Sequence, residues 1–394
     1  MLKEILKPVK KLVLQCLRIS GISSKYLGPP KRTYPQTKSW IQKSHEKWNG
    51  SYQEVTARTI ARRKDPITVN PSVHSAFKRL ATHIHQPCFV ARFKNGRVLG
   101  QNGTIITPDD ALLRDVSRES VDMAAPHTTT LSLKLPKCTR IERTVAVLGT
   151  VWSYVYFHWM LDIFPRIKLL QLGNIDFGTI DYFIIPNNNL RFQKEVLKRT
   201  RIPLQKIIYA ENDQRLHLEA ADLIVPSLPS SLDSPAAWAC AYVKEMFEEC
   251  IPKTTSIKRR LYISRAHANG RKIINEKEVL AILCPLGFET IMPETMSVED
   301  QAKTFSHAEI VIAAHGAGLT NTLFCSPGTF VIDIFSPRYV NPCYWILANE
   351  MQLTYGYLIG ADLGSRKGID TNPKQENIFV NLDELKKILK YLRY

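Results

Sequence analysis

The second half of the chain alternates short apolar runs with segments of helical pattern, and this alternation constrains the fold more than any other feature. The apolar run 310–314 is followed by a turn, His315-Gly-Ala-Gly318, and further strands are predicted at 260–264 and 329–335. Uninterrupted apolar runs of this length are typical of strands that are covered on both faces. Strands of this kind that alternate with helices predict a parallel α/β sheet.

Turn-forming and polar residues predict how the chain is divided. Residues 226–236 contain three prolines and four serines, and this composition predicts a linker between two domains. Residues 20–75 are polar, basic and interrupted by prolines, which predicts a linker or a loosely packed arm. Residues 88–98 alternate apolar and polar side chains around Asn95-Gly96, and this pattern predicts a β-hairpin.

Charge is concentrated at the N-terminus. The chain has a net charge of +17, and residues 1–64 carry 15 Lys and Arg against 3 Glu, a net charge of +12. This excess predicts anionic partners. We find no helix-turn-helix, zinc-finger or RNA-binding signature, so a nucleic-acid partner is not expected. The eight cysteines show no paired spacing, which favours a reducing, cytoplasmic location and no zinc site.

The first residues form the pattern of a basic amphipathic helix. No apolar stretch is long enough to span a bilayer, and lysines interrupt the region where a signal peptide would be apolar. This helix is interpreted either as a peripheral anchor on an anionic membrane surface or as a helix that docks on its own protein body. The apolar residues that recur at helical spacing are Leu2, Ile5, Leu6, Val9, Leu12, Val13 and Leu17.

The turn after the apolar run 310–314 is the strongest candidate site. Ligands of open α/β sheets bind where parallel strands end, and glycines let the backbone approach a phosphate. The free N–H groups of the following helix would add to a phosphate or diphosphate site. An esterase oxyanion hole is the competing reading, but it requires a Gly-x-Ser-x-Gly nucleophile motif, which the chain lacks. The candidate residues are His315, Gly316, Ala317, Gly318, Leu319 and Asn321.

Cationic residues follow the predicted strand 260–264. Ser264 and Arg265 stand at its end, with Arg271 shortly after them, and guanidinium groups there can neutralise a diphosphate. The alternative is a solvated basic loop. Glu294 follows another strand and is interpreted as a ligand of ribose hydroxyls or as an ordinary loop residue.

A third candidate lies on a predicted helix over 154–173. His158, Asp162 and Arg166 are spaced four residues apart, so they share one helix face. A His–Asp pair set among aromatic residues can act as a general base, and either side chain can take the proton. The alternative is a buried histidine that is satisfied by Asp162, with Arg166 capping the helix.

These motifs together resemble glycosyltransferase family 61, including its bacterial capsular-polysaccharide-type members. They are Phe-His158-Trp-Met-Leu-Asp162-Ile-Phe-Pro-Arg166, Tyr-Ile-Ser264-Arg265, Ile-Ile-Asn275-Glu276, Pro293-Glu294-Thr-Met-Ser297 and His315-Gly-Ala-Gly-Leu-Thr-Asn321. The resemblance implies a GT-B fold with two Rossmann-like domains facing across a cleft. It also implies inverting, metal-independent transfer from a nucleotide sugar, with UDP as the expected nucleotide. Many relatives have Asn at the position of Val155. If that Asn contacts the acceptor in those relatives, this chain lacks the contact.

The charge and helix pattern predict a basic N-terminal arm over 1–80, which matches nothing in the family. The resemblance implies an acceptor-side α/β domain over 81–232 and a Rossmann-like nucleotide-sugar-binding domain over 233–394. His158 and Asp162 would serve catalysis and Arg166 would contact the acceptor. Ser264, Arg265, Arg271, Glu294 and the His315 turn would bind the donor.

The predicted acceptor is a glycan or lipid-linked saccharide in surface or capsular polysaccharide synthesis, and the predicted location is the cytoplasmic face of the cell membrane. No Asp-x-Asp motif is present, so no metal is expected on the diphosphate. The rival interpretations are a non-catalytic nucleotide-sugar-binding scaffold or regulator and a UDP-sugar epimerase.

Overall fold

Two large sheets and one two-stranded sheet organise the described part of the chain. The computed structural model describes residues 2–211, 215–252, 258–362 and 372–392. The chain divides into a first unit, residues 1–58 with 86–233, and a second unit, residues 59–85 with 234–394. The backbone therefore passes from one unit to the other three times.

The strands and helices alternate along most of the described chain. The strands are β1 (Arg32–Tyr34), β2 (Ser51–Glu54), β3 (Thr59–Arg62), β4 (Ile67–Thr68), β5 (Thr82–His85), β6 (Phe89–Lys94), β7 (Arg97–Leu99), β8 (Thr104–Ile106), β9 (Ala111–Leu113), β10 (Thr139–Val147), β11 (Tyr182–Asn187), β12 (Ile207–Glu211), β13 (His217–Pro226), β14 (Arg259–Ile263), β15 (Phe288–Ile291), β16 (Ala308–Ala314), β17 (Phe330–Phe335) and β18 (Thr354–Ile359). The α-helices are α1 (Leu2–Ile19), α2 (Thr37–Trp48), α3 (Ser75–Lys78), α4 (Tyr156–His158), α5 (Pro165–Leu172), α6 (Arg191–Leu197), α7 (Ala237–Glu245), α8 (Glu276–Leu283), α9 (Val298–Ser306), α10 (Cys343–Glu350) and α11 (Leu382–Leu389). A π-helical turn spans Trp159–Ile163, and 3₁₀ segments include Thr128–Leu131, Pro293–Thr295 and Ala317–Phe324.

The second unit contains the parallel sheet that the sequence predicts. Its strand order is β15-β14-β16-β17-β18-β4, and all neighbours are parallel. Side chains of β16 and β17 form the buried core together with α8 and α11. Because the strands are parallel, the ends of β14, β15 and β16 lie at one edge of the sheet.

The first unit contains a mixed sheet. Strands β13, β10, β11 and β12 are parallel neighbours, whereas β6 and β7 run antiparallel to β13. The predicted hairpin at Asn95-Gly96 is therefore wrong, because β6 and β7 lie in line along β13 and do not pair with each other. A methyl group on Gly96 would overlap Phe93 and Leu223. Gly96 is thus explained by close packing and not by a hairpin turn.

The predicted linker over residues 20–75 is also wrong. This stretch contains β1, α2, β2, β3 and β4, and its prolines lie between these elements and not inside them. Trp40 on α2 is fully buried, and its indole N–H donates to Asp109 at 2.9 Å. The polar composition concealed a helix that is anchored by a few apolar side chains.

The proline- and serine-rich stretch 226–236 includes the passage from the first unit to the second. Leu228 and Leu232 are nevertheless buried, and they pack with Val151. This passage is therefore an ordered part of the first unit up to Asp233. Within the described residues, no helix is both long and apolar enough to cross a membrane.

Candidate active site

The helical segment that carries His158 contains a widened turn. Helix α4 leads into the π-helical turn, and Phe164 donates its N–H to the carbonyl of Trp159, five residues earlier, at 3.1 Å. Pro165 has no N–H, and in a regular helix its ring would clash with the carbonyl four residues earlier. The π turn removes this conflict, so the single helix predicted over 154–173 is corrected to three segments. Such turns are frequent at functional sites.

His158 and Asp162 form a direct pair at this turn. Nδ1 of His158 lies 2.6 Å from Oδ2 of Asp162, and both side chains are buried. The carboxylate therefore fixes the orientation of the imidazole ring. This contact leaves Nε2 as the ring nitrogen that can exchange a proton with a substrate.

Two residues that the sequence analysis did not select complete this group. Oδ1 of Asp233 lies 3.7 Å from Nε2 of His158, and the ring of Trp152 lies 4.9 Å from the imidazole. Trp152 and Asp233 both have positive φ angles, of 59° and 64°, which non-glycine residues rarely adopt. Asp233 lies in the stretch that the sequence analysis interpreted as a linker, so only its proximity in the fold reveals it.

The two carboxylates alter the proton affinity of His158. Burial alone would lower the pKa of His158, but the hydrogen bond and charge of Asp162, together with the charge of Asp233, raise it above its ordinary value. Burial raises the pKa of Asp162, against the opposing effects of its hydrogen bond to His158 and the charge of that ring. The pair therefore retains a proton to higher pH than an isolated imidazole in water.

Arg166 has a structural place in the first unit. Its side chain is fully buried, and its two terminal nitrogens donate to the carbonyls of Gly149 and Pro226 at 2.5 Å each. Burial lowers the pKa of Arg166 to about 9. This enclosed guanidinium has no exposed surface with which to bind an acceptor. The predicted role of Arg166 is therefore corrected: its side chain links the ends of two strands.

The candidate donor site lies at the edge where β14, β15 and β16 end. The turn after β16 leads directly into the 3₁₀ helix Ala317–Phe324, and Gly316 is its N-terminal cap residue. N–H groups in the first turn of a helix have no partner within the helix and attract anions. The sequence predicted this strand, turn and helix in the same order.

Two arginines flank this turn. The guanidinium of Arg265 lies directly against Gly316, where a methyl group would overlap its Nη1 atom. Arg271 donates from Nε to the carbonyl of His315 at 2.7 Å. Burial, and then the positive charge of Arg271, lower the pKa of Arg265 to about 10, so the Arg265 guanidinium is cationic at neutral pH. Among the described residues, Nε of Arg265 is buried without a hydrogen-bond partner.

A second His–Asp pair holds His315 in place. Nδ1 of His315 lies 2.9 Å from Oδ2 of Asp333, which also accepts a hydrogen bond from Tyr355 at 2.8 Å. Asp333 is fully buried in the middle of the apolar strand β17. Asp333 is not among the site residues that the sequence predicts, although a charged residue inside an apolar strand is a usable signal.

The remaining predicted donor residues lie near the turn but differ in accessibility. Ser264 donates to Glu276 at 2.8 Å, and Asn321 donates to Gln301 at 2.6 Å. Leu319 is fully buried, whereas Ala317 and Gly318 are partly exposed. Glu294 is exposed after β15, and its charge acts on Arg265. The exposed backbone, the arginines and Glu294 are therefore available to a ligand, while Leu319 and Asn321 stabilise the turn.

The chemistry of the two groups differs. The first unit presents a polarised imidazole that can take a proton, and the second presents cations and N–H groups that can bind an anion. No set of three or more His, Cys, Asp or Glu side chains in the described part of the chain is arranged to hold a metal ion.

A comparison with family models finds a match: residues 156–332 match the model of a glycosyltransferase family. The family is Glycosyltransferase 61, so the resemblance drawn from the motifs is confirmed over this segment. The segment contains His158, Asp162, Arg265 and the His315 turn.

Named relatives are plant enzymes. A Beta-1,2-xylosyltransferase of Arabidopsis thaliana is 27% identical over 25% of this chain and 22% of its own length. The rice (Oryza sativa subsp. japonica) Beta-1,2-xylosyltransferase XAX1 is 34% identical over 59% of this chain and 45% of its own length. The rice Alpha-1,3-arabinosyltransferase XAT3 is 21% identical over 68% of this chain and 51% of its own length. The chain thus spans between about a fifth and about half of the length of these relatives.

Proposed function

We propose that this protein is an inverting glycosyltransferase that moves a sugar from a nucleotide sugar to a hydroxyl group of a glycan acceptor. The main support for the proposal is the position of the Arg265 guanidinium. It lies against Gly316 at the edge of the sheet where three parallel strands end. The family match over 156–332 supports the same function. The proposal includes the GT-B arrangement that the motifs predicted.

The donor diphosphate would bind at the His315 turn. Arg265 and Arg271 would neutralise its charge, and the N–H groups of Ala317 and Gly318 would donate to its oxygens. Because these groups are fixed before the donor binds, they stabilise the charge that develops on the departing diphosphate. Metal independence is part of the proposal, since the arginines and the helix N-terminus supply the positive charge.

The acceptor would be activated by His158. Its Nε2 takes the proton of the acceptor hydroxyl, while the hydroxyl oxygen bonds to the anomeric carbon and the bond from that carbon to the diphosphate breaks. Asp162 is a positioning residue in this scheme, because its buried carboxylate holds Nδ1 of the same ring. The geometry thus favours His158 over Asp162 as the base.

The donor and acceptor are proposed at the level of class. A UDP-sugar is the proposed donor, and the names of the relatives make UDP-xylose and UDP-arabinose the first to assay. A surface or capsular polysaccharide and a lipid-linked saccharide remain proposed acceptors, to be assayed beside plant-type glycans. The cytoplasmic, membrane-peripheral location also remains a proposal.

Calorimetric titration of the purified protein tests the donor site. We expect UDP and a UDP-sugar to bind saturably in the presence of EDTA, because the proposed site needs no metal, whereas GDP and CDP serve as controls for nucleotide choice. Absence of binding by every nucleotide would contradict the proposal. Binding without transfer to any member of a glycan panel would instead favour the scaffold interpretation.

The pH dependence of transfer tests the role of Asp233. His158 must be neutral to accept a proton, so the rate rises as pH increases through its pKa. The negative charge of Asp233 raises that pKa, so we expect Asp233→Asn to move the acidic limb of the rate profile to lower pH. The maximal rate should change within about tenfold, because the base itself is retained. An unshifted limb would mean that Asp233 does not act on His158.

A further inference from the structure

Helix α1 exposes an apolar face. At about 100° per residue, Val9, Leu12, Val13, Cys16 and Ile19 lie within roughly a third of the helix circumference. All five side chains are exposed. Exposed apolar side chains at this spacing form a continuous stripe, which soluble surfaces rarely leave uncovered.

Other residues hold the helix to the first unit. Leu14 is buried on the side of the helix opposite the stripe, and Leu17 packs against Gly28. Arg18 donates to the carbonyl of Thr130 at 2.9 Å. The first unit therefore fixes the orientation of α1 and turns its apolar stripe away from the residues that hold it.

The surroundings of the stripe are basic and partly apolar. Lys10 and Lys11 are exposed on the same helix turns, but they point about 100° and 200° around the helix from Val9, so they lie on its polar side with Leu14 between them. Exposed apolar side chains also occur on the segments that contact α1: Ile22, Tyr26, Leu27, Leu131 and Leu133. A helix with an exposed apolar face and lysines on its polar face has the properties of an interfacial membrane helix.

We propose that the stripe of α1 docks on a bilayer surface that contains anionic lipids. The apolar side chains would enter the boundary between headgroups and acyl chains, and the long side chains of Lys10 and Lys11 would extend from the polar face toward the anionic headgroups. Charge argues against a second copy of this chain as the occupant, because residues 1–64 carry a net charge of +12 and two such faces repel each other. This inference is independent of the proposed transfer chemistry.

Vesicle sedimentation with the full chain tests this inference. The probes are vesicles of phosphatidylcholine alone and of phosphatidylcholine mixed with phosphatidylglycerol. We expect binding to the anionic vesicles, a decrease with added salt, and a loss of affinity of roughly tenfold or more in Leu12→Glu, because one buried side chain is worth that much. Lys10→Gln combined with Lys11→Gln should weaken binding by about tenfold.

A matched control tests whether vesicle binding depends on this stripe or on any exposed apolar side chain. Leu12 is 62% exposed and Leu204, elsewhere in the first unit, is 59% exposed, so Leu204→Glu makes the same change at an equally open position. Leu204→Glu should bind vesicles like the unaltered protein. The proposal is overturned if the unaltered protein binds no vesicle, if Leu12→Glu binds normally, or if both variants lose binding equally. A dimer that Leu12→Glu converts to a monomer would also overturn it, in favour of a second copy as the occupant.

Discussion

We expect His158→Ala to lower the rate of sugar transfer by roughly a hundredfold to ten-thousandfold while the affinity for UDP changes little. In the proposed mechanism the imidazole, which belongs to the first unit, takes the acceptor proton, whereas the proposed nucleotide contacts belong to the second unit. Asp162→Asn should cause a loss of similar order, because the neutral amide no longer fixes the ring as the carboxylate does. Transfer from UDP-xylose, and slow hydrolysis of that donor by water, are the two readouts.

The control for this prediction is another buried histidine of the same unit. His127 caps the 3₁₀ segment Thr128–Leu131 by accepting a hydrogen bond from Thr129. Asparagine is a good capping residue, so His127→Asn should keep both the fold and the transfer rate. Full activity of His158→Ala would show that His158 is not the general base. A parallel loss of transfer and of UDP binding in that variant would also contradict the assignment of His158 as the base.

We also expect Gly316→Ala and Arg265→Ala to weaken UDP binding through the same contact. Arg265→Ala removes a charged hydrogen-bond donor, which is worth about 1.5–3 kcal/mol, or roughly a tenfold to hundredfold increase in Kd. Gly316→Ala keeps the arginine but adds a methyl group where its Nη1 atom lies, so the guanidinium must move. Calorimetric titration of each variant with UDP measures both effects.

The double variant makes this prediction specific. If Gly316→Ala acts by displacing Arg265, the combined variant should bind UDP no more weakly than Arg265→Ala alone. Additive losses would show that the two positions act separately. Gly50→Ala is the control, since the added methyl group would meet its nearest neighbour at an ordinary 3.5 Å. Its affinity for UDP should equal that of the unaltered protein.

Local patterns in the sequence were sufficient to predict the strands and the turn at the sheet edge that is proposed to bind the donor. The apolar run of β16, the glycines after it and the cations after β14 are contiguous signals, and parallel topology brings them to one edge. The same reasoning found the pair His158 and Asp162, since four-residue spacing places two side chains on one face.

Local sequence patterns could not predict contacts between segments that are distant in sequence. Asp233 reaches His158 across 75 positions of sequence, and Asp333 fixes His315 from the neighbouring strand. The burial of Arg166 also depends on distant partners, the carbonyls of Gly149 and Pro226. A helix-face argument predicts which side chains point together, but it does not predict whether the direction leads to solvent or to the core.

The edge strand β4 makes the second unit depend on the order of synthesis. Residues 59–85 belong to this unit, and Ile67 of β4 pairs with Gly356 of β18. At about 5–20 residues per second, a ribosome needs roughly 15–60 s to progress from one partner to the other. Until then Phe77, which is buried against Trp345 and Tyr357 in the finished protein, has no core to enter. During synthesis, the first segment of the second unit is therefore made long before the strands and helices against which it packs.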